Sequence, residues 1–356
     1  MTAKESDPVL KAFLIVPEGA MSVKTDSNIP DSPVYARTGD SRARSHAVTG
    51  KRPLRSSDEA VRSRVKALGM NAREQLVEGL PVVERRYVLA GISTAVLEGG
   101  DGPPILFLHG PGEFGPKWLR IIPDLVKNYR VIAPDLPAHG ASETPQVRLD
   151  QDRVSAWIEQ LIKKTCPAPP VLVGHVLGGT LAARFAMRHP RQISRLVLVD
   201  TLGLAPFRPA PRFALTMFHF MAQPRRSTYE RFMRQCSLDL DGLRTEMGEL
   251  WEPFESYTVE LSRSPSSKVA GRMMRELGLP PIPPADLARI EVPTDLIWGR
   301  QDRANRLRIA EAASARFGWP LHVVEHCADD PARDQPGPFC HVLRHILENE
   351  SEKTEP

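Results

Sequence analysis

The chain has 356 residues, of which 41% are hydrophobic and 6% aromatic, and it carries a formal net charge of +4. A chain of this length and composition buries a sizeable core, which excludes fully disordered and fibrous proteins. Its 34 prolines are roughly twice the average usage, and 28 of them follow residue 100, where they must mark the ends of helices and strands.

Residues 1–80 predict a largely disordered N-terminal tail with short helices. Residues 1–66 hold 12 Lys/Arg against 8 Asp/Glu, so the whole net charge of +4 belongs to this segment. The basic, serine-containing stretch 37–66 is compatible with contact to nucleic acid or anionic lipid, but no nucleic-acid motif or base-stacking pattern accompanies it. We therefore expect a solvated tail and no nucleic acid bound by the core. Near its end, Asn71 and Glu74 have the spacing of a helix capping box.

The cysteines and apolar runs indicate a cytoplasmic protein without a membrane span. The four cysteines are scattered through a chain too large to need disulfides, namely Cys166, Cys236, Cys327 and Cys340. The early apolar run 9–16 is interrupted by Lys11 and is too short to cross a bilayer, and we expect no signal peptide.

From residue 82 onward the pattern predicts strands that alternate with helices. A hairpin over 82–89 and 92–97 precedes an apolar strand over 104–108. The predicted elements that follow are a helix over 118–127, a strand over 129–134, a helix over 153–164, a strand over 170–173, a helix over 179–188 and a strand over 194–199. Such alternation predicts an α/β fold with a mostly parallel central sheet flanked by helices.

Residues 203–293 interrupt this rhythm with helical, methionine- and arginine-rich segments that include 11 prolines. The alternation then resumes with a strand over 294–298, a helix over 307–317, a strand over 321–324 and a helix over 339–347. The sequence thus predicts a core in two parts, 81–202 and 294–350, with 203–293 inserted as a helical cap.

One strand end carries a motif with chemical meaning. The apolar strand 171–173 runs into Gly174-His175-Val176-Leu177-Gly178-Gly179 and then into a helix. This is the setting of the nucleophile elbow, Gly-x-Ser-x-Gly, in which small residues flank a nucleophile on a strained turn. Because Gly174, Gly178 and Gly179 are present, we predict that Val176 keeps the strained backbone although valine disfavours it.

With this motif and four others, the chain from about residue 84 to residue 347 resembles the α/β-hydrolase superfamily. The other motifs are His109-Gly110, the segment 135–142, the segment 298–302 and Asp334-Gln335-Pro336, each following an expected strand or near the expected end of the fold. The resemblance implies an α/β-hydrolase fold and a site at the carboxyl ends of the strands.

The resemblance also implies a catalytic triad, and here the sequence departs from the family. The nucleophile position is Val176, which has no lone pair and no ionisable proton. Asp302 matches the acid, and Asp329 stands where the family has its histidine. Acyl transfer by such a triad needs a nucleophile and a histidine that moves its proton.

The oxyanion-binding backbone is altered as well. The family uses the N–H after His109-Gly110 together with the N–H after the nucleophile, which is that of Leu177. The first position is Pro111, which has no N–H, so Gly112 or Glu113 would have to replace it.

Other residues keep two interpretations. His109 and His139 are expected in loop hydrogen bonding rather than catalysis, and His175 lines the pocket floor or simply packs. Residues that would restore ordinary chemistry from a displaced position are His326 or His341 as the base, Ser142 or Thr180 as the nucleophile, and Cys327 as a reactive thiol.

Three functions follow from these residues. The first is a non-catalytic homologue that binds a small, largely apolar organic molecule under the cap, or a protein partner. The second is an enzyme in which Asp302 and Asp329 share a proton and act as general acid and base in an isomerase, lyase or hydrolase reaction. The third is an ordinary ester or C–C hydrolase with a displaced nucleophile. No cofactor and no metal are expected.

Overall fold

The computed structural model describes residues 70–351, with side chains up to residue 348. The predictions for residues 1–69 lie outside these residues. The capping box at the end of the predicted tail is confirmed: the Asn71 side chain accepts from the Glu74 N–H at 3.0 Å and the Glu74 carboxylate accepts from the Asn71 N–H at 2.8 Å.

Eight strands form one sheet, as the alternation predicts. In chain order they are β1 (Val83–Leu89), β2 (Ile92–Gly99), β3 (Pro104–Leu108), β4 (Arg130–Pro134), β5 (Val171–His175), β6 (Arg195–Val199), β7 (Thr294–Gly299) and β8 (Leu321–Val324). Their order across the sheet is β1-β2-β4-β3-β5-β6-β7-β8. Only the pairs β1·β2 and β2·β4 are antiparallel, so β3 to β8 all end at the same edge.

The α-helices occupy the connections between these strands. In chain order they are α1 (Ala72–Val77), α2 (Ile122–Leu125), α3 (Gln151–Thr165), α4 (Leu177–Arg188), α5 (Pro211–Ala222), α6 (Arg226–Cys236), α7 (Leu240–Met247), α8 (Trp251–Arg263), α9 (Ser266–Met273), α10 (Pro284–Leu287), α11 (Arg308–Phe317), α12 (Pro331–Asp334) and α13 (Pro336–Ser351). A 3-10 helix, Gly115–Arg120, precedes α2. The single helix predicted over 118–127 is thus split, because Pro123 at the second residue of α2 starts a new helix there.

The sheet is covered on both faces, which is why its central strands are continuous apolar runs. All five residues of β3, β5 and β6 are buried. One core cluster lies against α3, α4 and α11, and another against α2 and α13. No helix in the part of the chain described by the structure is both long and apolar enough to span a membrane.

The segment 203–293 contains α5 to α10 and no strand. Its buried aromatic residues form a third cluster together with Leu76 of α1 and Phe114 of the loop after β3. Phe114 lies 4.8 Å from the ring of Tyr257 and 5.3 Å from that of Phe254, both on α8. These contacts place the helical segment over the loop that follows β3, at the edge where the parallel strands end.

Candidate functional site

Val176 occupies a strained turn between β5 and α4. Its backbone angles are φ 48° and ψ −104°, which confirms the predicted elbow conformation. A β-branched residue at positive φ is a genuine outlier and costs of order 1–3 kcal/mol. The turn is held by backbone hydrogen bonds from Val176 N–H to the Val199 carbonyl (3.1 Å) and from Leu202 N–H to the Val176 carbonyl (3.2 Å).

Close backbone packing explains the glycines around Val176. A Cβ on Gly178 would lie 2.1 Å from the Leu108 carbonyl oxygen, and one on Gly174 would lie 2.5 Å from the Gly178 oxygen. Contacts that short do not occur, so larger residues would force α4 away from the sheet. The geometry that presents a nucleophile in this turn is therefore intact, although the residue presented is valine.

The acid Asp302 follows β7 and is buried, with 6% of its surface exposed. Its Oδ1 accepts hydrogen bonds from the backbone N–H groups of Ala304 (2.6 Å) and Asn305 (2.8 Å), which fixes the carboxyl group. Burial raises the pKa of Asp302 to about 7.

A second acid, Asp200, lies beside Asp302 and was missed by the sequence analysis. It follows β6 with φ 41° and is fully buried. Burial and the neighbouring Asp302 carboxyl group raise the pKa of Asp200 well above its ordinary value, and the two side chains are within hydrogen-bonding reach. Two carboxylates cannot donate to each other, so one of them must hold a proton at neutral pH. The signal available in the sequence was an acid at the carboxyl end of a central strand.

Asp329, which we predicted to stand at the histidine position, joins this acidic group. Burial and then Asp302 raise the pKa of Asp329 to about 8, against the lowering effect of Arg333. The Asp329 Oδ1 lies 3.7 Å from the Arg333 guanidinium and has no hydrogen-bond partner in the described chain. Burial and then the Asp329 carboxyl group raise the pKa of the Cys236 thiol, at the end of α6. The predicted proximity of Asp302 and Asp329 is present, but the hydrogen-bonding neighbour of Asp302 is Asp200.

His175 takes part in a buried charge network. Its Nε2 donates to the Asp329 carbonyl (2.8 Å), which leaves Nδ1 to accept from the Lys117 ammonium (2.8 Å). Lys117 also lies 3.2 Å from carboxylate oxygens of both Glu113 and Asp330, and its side chain is 1% exposed. His175 is thus hydrogen-bonded in a charge network rather than simply packed.

Three of these groups offer metal-ligand atoms close together. The donor atoms of Glu113, His175 and Asp330 all lie within 4.8 Å of one another. The Lys117 ammonium lies within 3.2 Å of each of these three residues and takes the position that a cation would occupy. Lys117 and the Arg333 guanidinium, which lies 3.3 Å from Asp330, together offset the charges of the two carboxylates.

The oxyanion-binding loop is modified by a carboxylate. The Gly110 N–H donates to the Glu113 Oε2 at 2.6 Å, and the Glu113 N–H donates to the Gly110 carbonyl at 3.4 Å. Gly112 has φ 72°, a conformation that suits glycine. Among the backbone amides considered as oxyanion donors, those of Gly112 and Leu177 donate no hydrogen bond to any atom of residues 70–351. The Gly112 and Leu177 amides therefore remain as hydrogen-bond donors.

The histidines near the site have structural contacts. His109 is fully buried, with Nε2 accepting from the Leu136 N–H (3.0 Å) and Nδ1 donating to the Gly110 carbonyl (2.8 Å). Burial lowers the pKa of His109 well below its ordinary value, so it stays neutral. His139 Nδ1 hydrogen-bonds the Pro137 carbonyl at 3.0 Å. His326 and His341 are exposed, and neither side chain contacts the elbow.

The residues considered as displaced nucleophiles are hydrogen-bonded elsewhere or buried. Ser142 donates its hydroxyl proton to the Asp135 carbonyl at 2.8 Å, and Thr180 donates to the Val176 carbonyl at 3.4 Å. Cys327 is fully buried, and burial raises the pKa of its thiol above the ordinary value, which opposes formation of the reactive thiolate. None of the three has an imidazole within hydrogen-bonding distance.

Two of the cavities among the described residues are not lined by Val176, Asp302 or Asp329. One, of about 450 Å³, lies between the 204–208 segment, α10 and α11. The other is about 10 Å³ and lies between α3 and α4. The pocket for an apolar molecule beneath the helical segment stays a prediction.

Comparison with known proteins agrees with the fold. The sequence model of the alpha/beta hydrolase fold family matches residues 103–332. The chain is 24% identical to 2-hydroxy-6-oxo-6-(2'-aminophenyl)hexa-2,4-dienoic acid hydrolase of Metapseudomonas resinovorans, across 80% of this chain and 98% of that protein. It is 31% identical to the magnesium-chelatase 30 kDa subunit of Rhodobacter capsulatus, across 61% of this chain and 76% of that protein.

A solved structure shares the architecture. A membrane phospholipase A, described as a bacterial virulence factor, superposes with a TM-score of 0.67 at 24% identity, over 82% of this chain and 96% of that one. The sheet order, the elbow after β5 and the family match over 103–332 agree with one another. The chain belongs to the alpha/beta hydrolase fold family.

Proposed function

We propose that this α/β-hydrolase homologue is a binding protein that does not run the family's acyl-transfer chemistry. The observation that carries the proposal is Val176 in the intact elbow, at φ 48° and ψ −104°. The turn still presents one side chain to the site, but an isopropyl group cannot attack a carbonyl carbon. Loss of the nucleophile alone removes nearly all of the catalysis that a triad supplies.

Two further features oppose an oxyanion intermediate. Burial, together with the neighbouring acids, raises the pKa of Asp329 to about 8, and a protonated carboxyl group is a poor general base. The Gly110 N–H donates to the Glu113 carboxylate, so this amide is not available to bind an oxyanion.

The site favours a ligand that supplies hydrogen-bond donors. One buried carboxyl oxygen, Asp329 Oδ1, has no hydrogen-bond partner among residues 70–351, whereas the Asp200 and Asp302 carboxyl groups hydrogen-bond each other. A small, largely apolar molecule with a hydroxyl or amino group would satisfy the Asp329 oxygen and remove a desolvation cost. A protein partner inserting such a group is the other form of this function.

We propose that the segment 203–293 acts as the cap of this site, between the two core parts 81–202 and 294–350. The Arg333 guanidinium donates to the Cys236 carbonyl at 3.0 Å, and that of Arg303 donates to the Arg234 carbonyl at 3.0 Å. These contacts close the segment over Asp329 and would have to open for a ligand to enter. The four unpaired thiols support a reducing, cytoplasmic setting.

A fluorophosphonate probe tests the proposal directly, because it labels activated serines. We expect no labelling of the full-length protein and no turnover of a panel of small esters, lactones and thioesters. Stoichiometric labelling of any serine, followed by peptide mapping, would refute the interpretation of the elbow.

Back-substitution supplies the matched control. Val176→Ser alone should remain unlabelled or nearly so, since no base is placed to activate the hydroxyl. Val176→Ser combined with Asp329→His restores nucleophile and base, with Asp302 available to orient the imidazole, and should be labelled more strongly than either single variant. Equal labelling of Val176→Ser with and without the histidine would show that another group supplies the base.

A second candidate, a proton-transfer enzyme, is favoured by the raised pKa values of about 7 for Asp302 and about 8 for Asp329. Carboxyl groups in that range can act as general acid and base near neutral pH. The test is turnover of small epoxides, lactones and enolisable ketones by the wild type, Asp302→Asn and Asp329→Asn. Turnover lost in both variants would favour this enzyme over the binding protein.

A further inference from the structure

We propose a second binding site, for a small anionic amphiphile, in the groove formed by residues 204–208, α10 and α11. The ligand class is a molecule with an apolar body and a carboxylate or phosphate head group. This site goes beyond the proposed function and does not depend on it, because none of its lining residues belongs to the elbow or to the acidic group.

The groove has a volume of about 450 Å³, within the range that holds a small organic ligand. Its apolar surface comes from Leu204, Leu287, Ile309, Ala313 and Phe317. Leu287 and Ala313 are buried in the core beneath, so this floor is fixed by the fold rather than by mobile side chains. The body of an amphiphile would bury apolar surface here that water now covers.

Four arginines line the same groove, at positions 208, 306, 308 and 316. None of the residues that the structure places along the groove is Asp or Glu. Unlike Arg226 and Arg300, which pair with Glu252 and Glu325, none of the four forms an ion pair within residues 70–351. The guanidinium of Arg316 instead lies 5.7 Å from the Phe317 ring centre. Unpaired guanidinium groups around an apolar floor select an anion with an apolar body.

The charges are concentrated at one end of the groove. The Ala210 N–H donates to the Arg303 carbonyl at 2.7 Å, which brings the segment carrying Arg208 beside the loop that carries Arg306. Arg308 begins α11, whose N-terminal dipole adds to their positive potential. Arg316 lies eight residues further along the helix, about 12 Å away at 1.5 Å per residue. The head group therefore binds near 306–308, and the apolar body runs along α11 towards Phe317.

Guanidinium groups bind carboxylate and phosphate oxygens through paired N–H donors, so both head groups fit. Such a ligand would come either from free alkyl or aryl acids and phosphates or from the head group of a membrane lipid. The apolar floor predicts that affinity rises with chain length, by about fourfold for each methylene that becomes fully buried.

Isothermal titration of the full-length protein tests the site with inorganic phosphate, butyl phosphate, octyl phosphate and octanoate. We expect octyl phosphate and octanoate to bind at least tenfold more tightly than inorganic phosphate, with butyl phosphate between them. Absence of binding by both octyl ligands at millimolar concentration would overturn the proposal, as would equal affinity for all four probes.

Two variants separate the site from non-specific attraction. Arg306→Gln/Arg308→Gln should weaken octyl phosphate at least tenfold, whereas Arg231→Gln/Arg272→Gln, a pair of exposed arginines outside the groove, should leave it unchanged. Ala312→Trp fills the groove without changing charge and should abolish binding, whereas Ala315→Trp, exposed on α11 outside the lining, should not. Equal affinity in the groove and control variants would overturn the proposal.

Sedimentation with phosphatidylcholine vesicles containing phosphatidylglycerol distinguishes the two sources. Vesicle binding that is lost in both groove variants identifies a lipid head group as the ligand. Octyl phosphate binding without vesicle binding identifies a free amphiphile. Vesicle binding that persists in the groove variants, with no binding of the soluble octyl ligands, would contradict the site.

Discussion

Replacing Asp302 by asparagine should remove a large part of the pH dependence of stability. Burial raises the pKa of Asp302 from 3.8 to about 7. In the unfolded chain the group ionises near pH 4, but in the folded protein it stays protonated until about pH 7. Its contribution to stability is therefore fully present below pH 4 and is lost as the pH rises to 7.

The magnitude follows from the width of that window. Each unit of pKa difference corresponds to 1.36 kcal/mol, so the two units between pH 5 and pH 7 amount to about 3 kcal/mol. The group is 6% exposed, so solvent screens it little. In Asp302→Asn this loss disappears, and the new amide can donate to the Asp200 carboxyl group while its oxygen keeps the bonds from Ala304 and Asn305. The stability of the variant relative to the wild type should therefore rise by about 3 kcal/mol between pH 5 and pH 8.

Urea unfolding followed by circular dichroism at pH 5, 6, 7 and 8 measures the difference. Asp101→Asn, at an exposed aspartate, is the matched control and should follow the wild type at every pH. Parallel curves for Asp302→Asn and the wild type would refute the raised pKa. A variant less stable than the wild type at pH 8 would refute the account of its hydrogen bonds.

Three other perturbations test neighbouring features. Val176→Gly should be about 1 kcal/mol more stable than Val176→Ala in urea unfolding. Glycine releases about 1–3 kcal/mol of backbone strain at this position, which outweighs its entropy cost of about 0.5–1 kcal/mol. If Val176→Ala were the more stable variant, the strain at φ 48° would be contradicted. Lys117→Met removes the buried ammonium group between Glu113 and Asp330, although Arg333 still lies 3.3 Å from Asp330, and should lose about 2–3 kcal/mol. Lys127→Met on the surface should lose less than about 1 kcal/mol, and equal losses would contradict the buried network. Burial raises the pKa of Cys166 to about 11, and the other three thiols are buried. An aromatic disulfide reagent at pH 8 should therefore react slowly with the native protein, whereas all four thiols should react in urea. Fast reaction of four thiols in the native state would contradict the burial.

The order of helices and strands could be predicted because hydrophobic periodicity, and the glycines and prolines at the ends of elements, reflect interactions between residues close together in the chain. The strand over 321–324 has the predicted bounds, and α11 begins one residue after its predicted start. Glycines at 174, 178 and 179 predicted the elbow, since only residues without a Cβ allow α4 to approach the β3 backbone so closely. Helix ends were less accurate: the last helix begins at Pro336 rather than at 339, because proline suits the first turn of a helix.

The sequence did not predict which side chains from different strands meet at the edge of the sheet. Asp200 and Asp302 are 102 residues apart in sequence and meet because β6 and β7 are adjacent parallel strands that end at one edge. Lys117 reaches His175 in the same way, from the 3-10 helix after β3 to the end of β5. The sequence indicated which residue types were available at strand ends, but the strand order decided which of them met.

By itself, the sequence determined the α/β architecture and the elbow with valine at its centre, because these depend on the residue at each position and on local backbone preference. The tertiary structure alone decided that Asp302 has a second acid as its neighbour, that a buried lysine and a buried arginine offset the acidic charges around His175, and that a groove with four unpaired arginines opens beside α11. Burial and proximity set the charge state of each of these groups, and both depend on contacts between residues far apart in the chain.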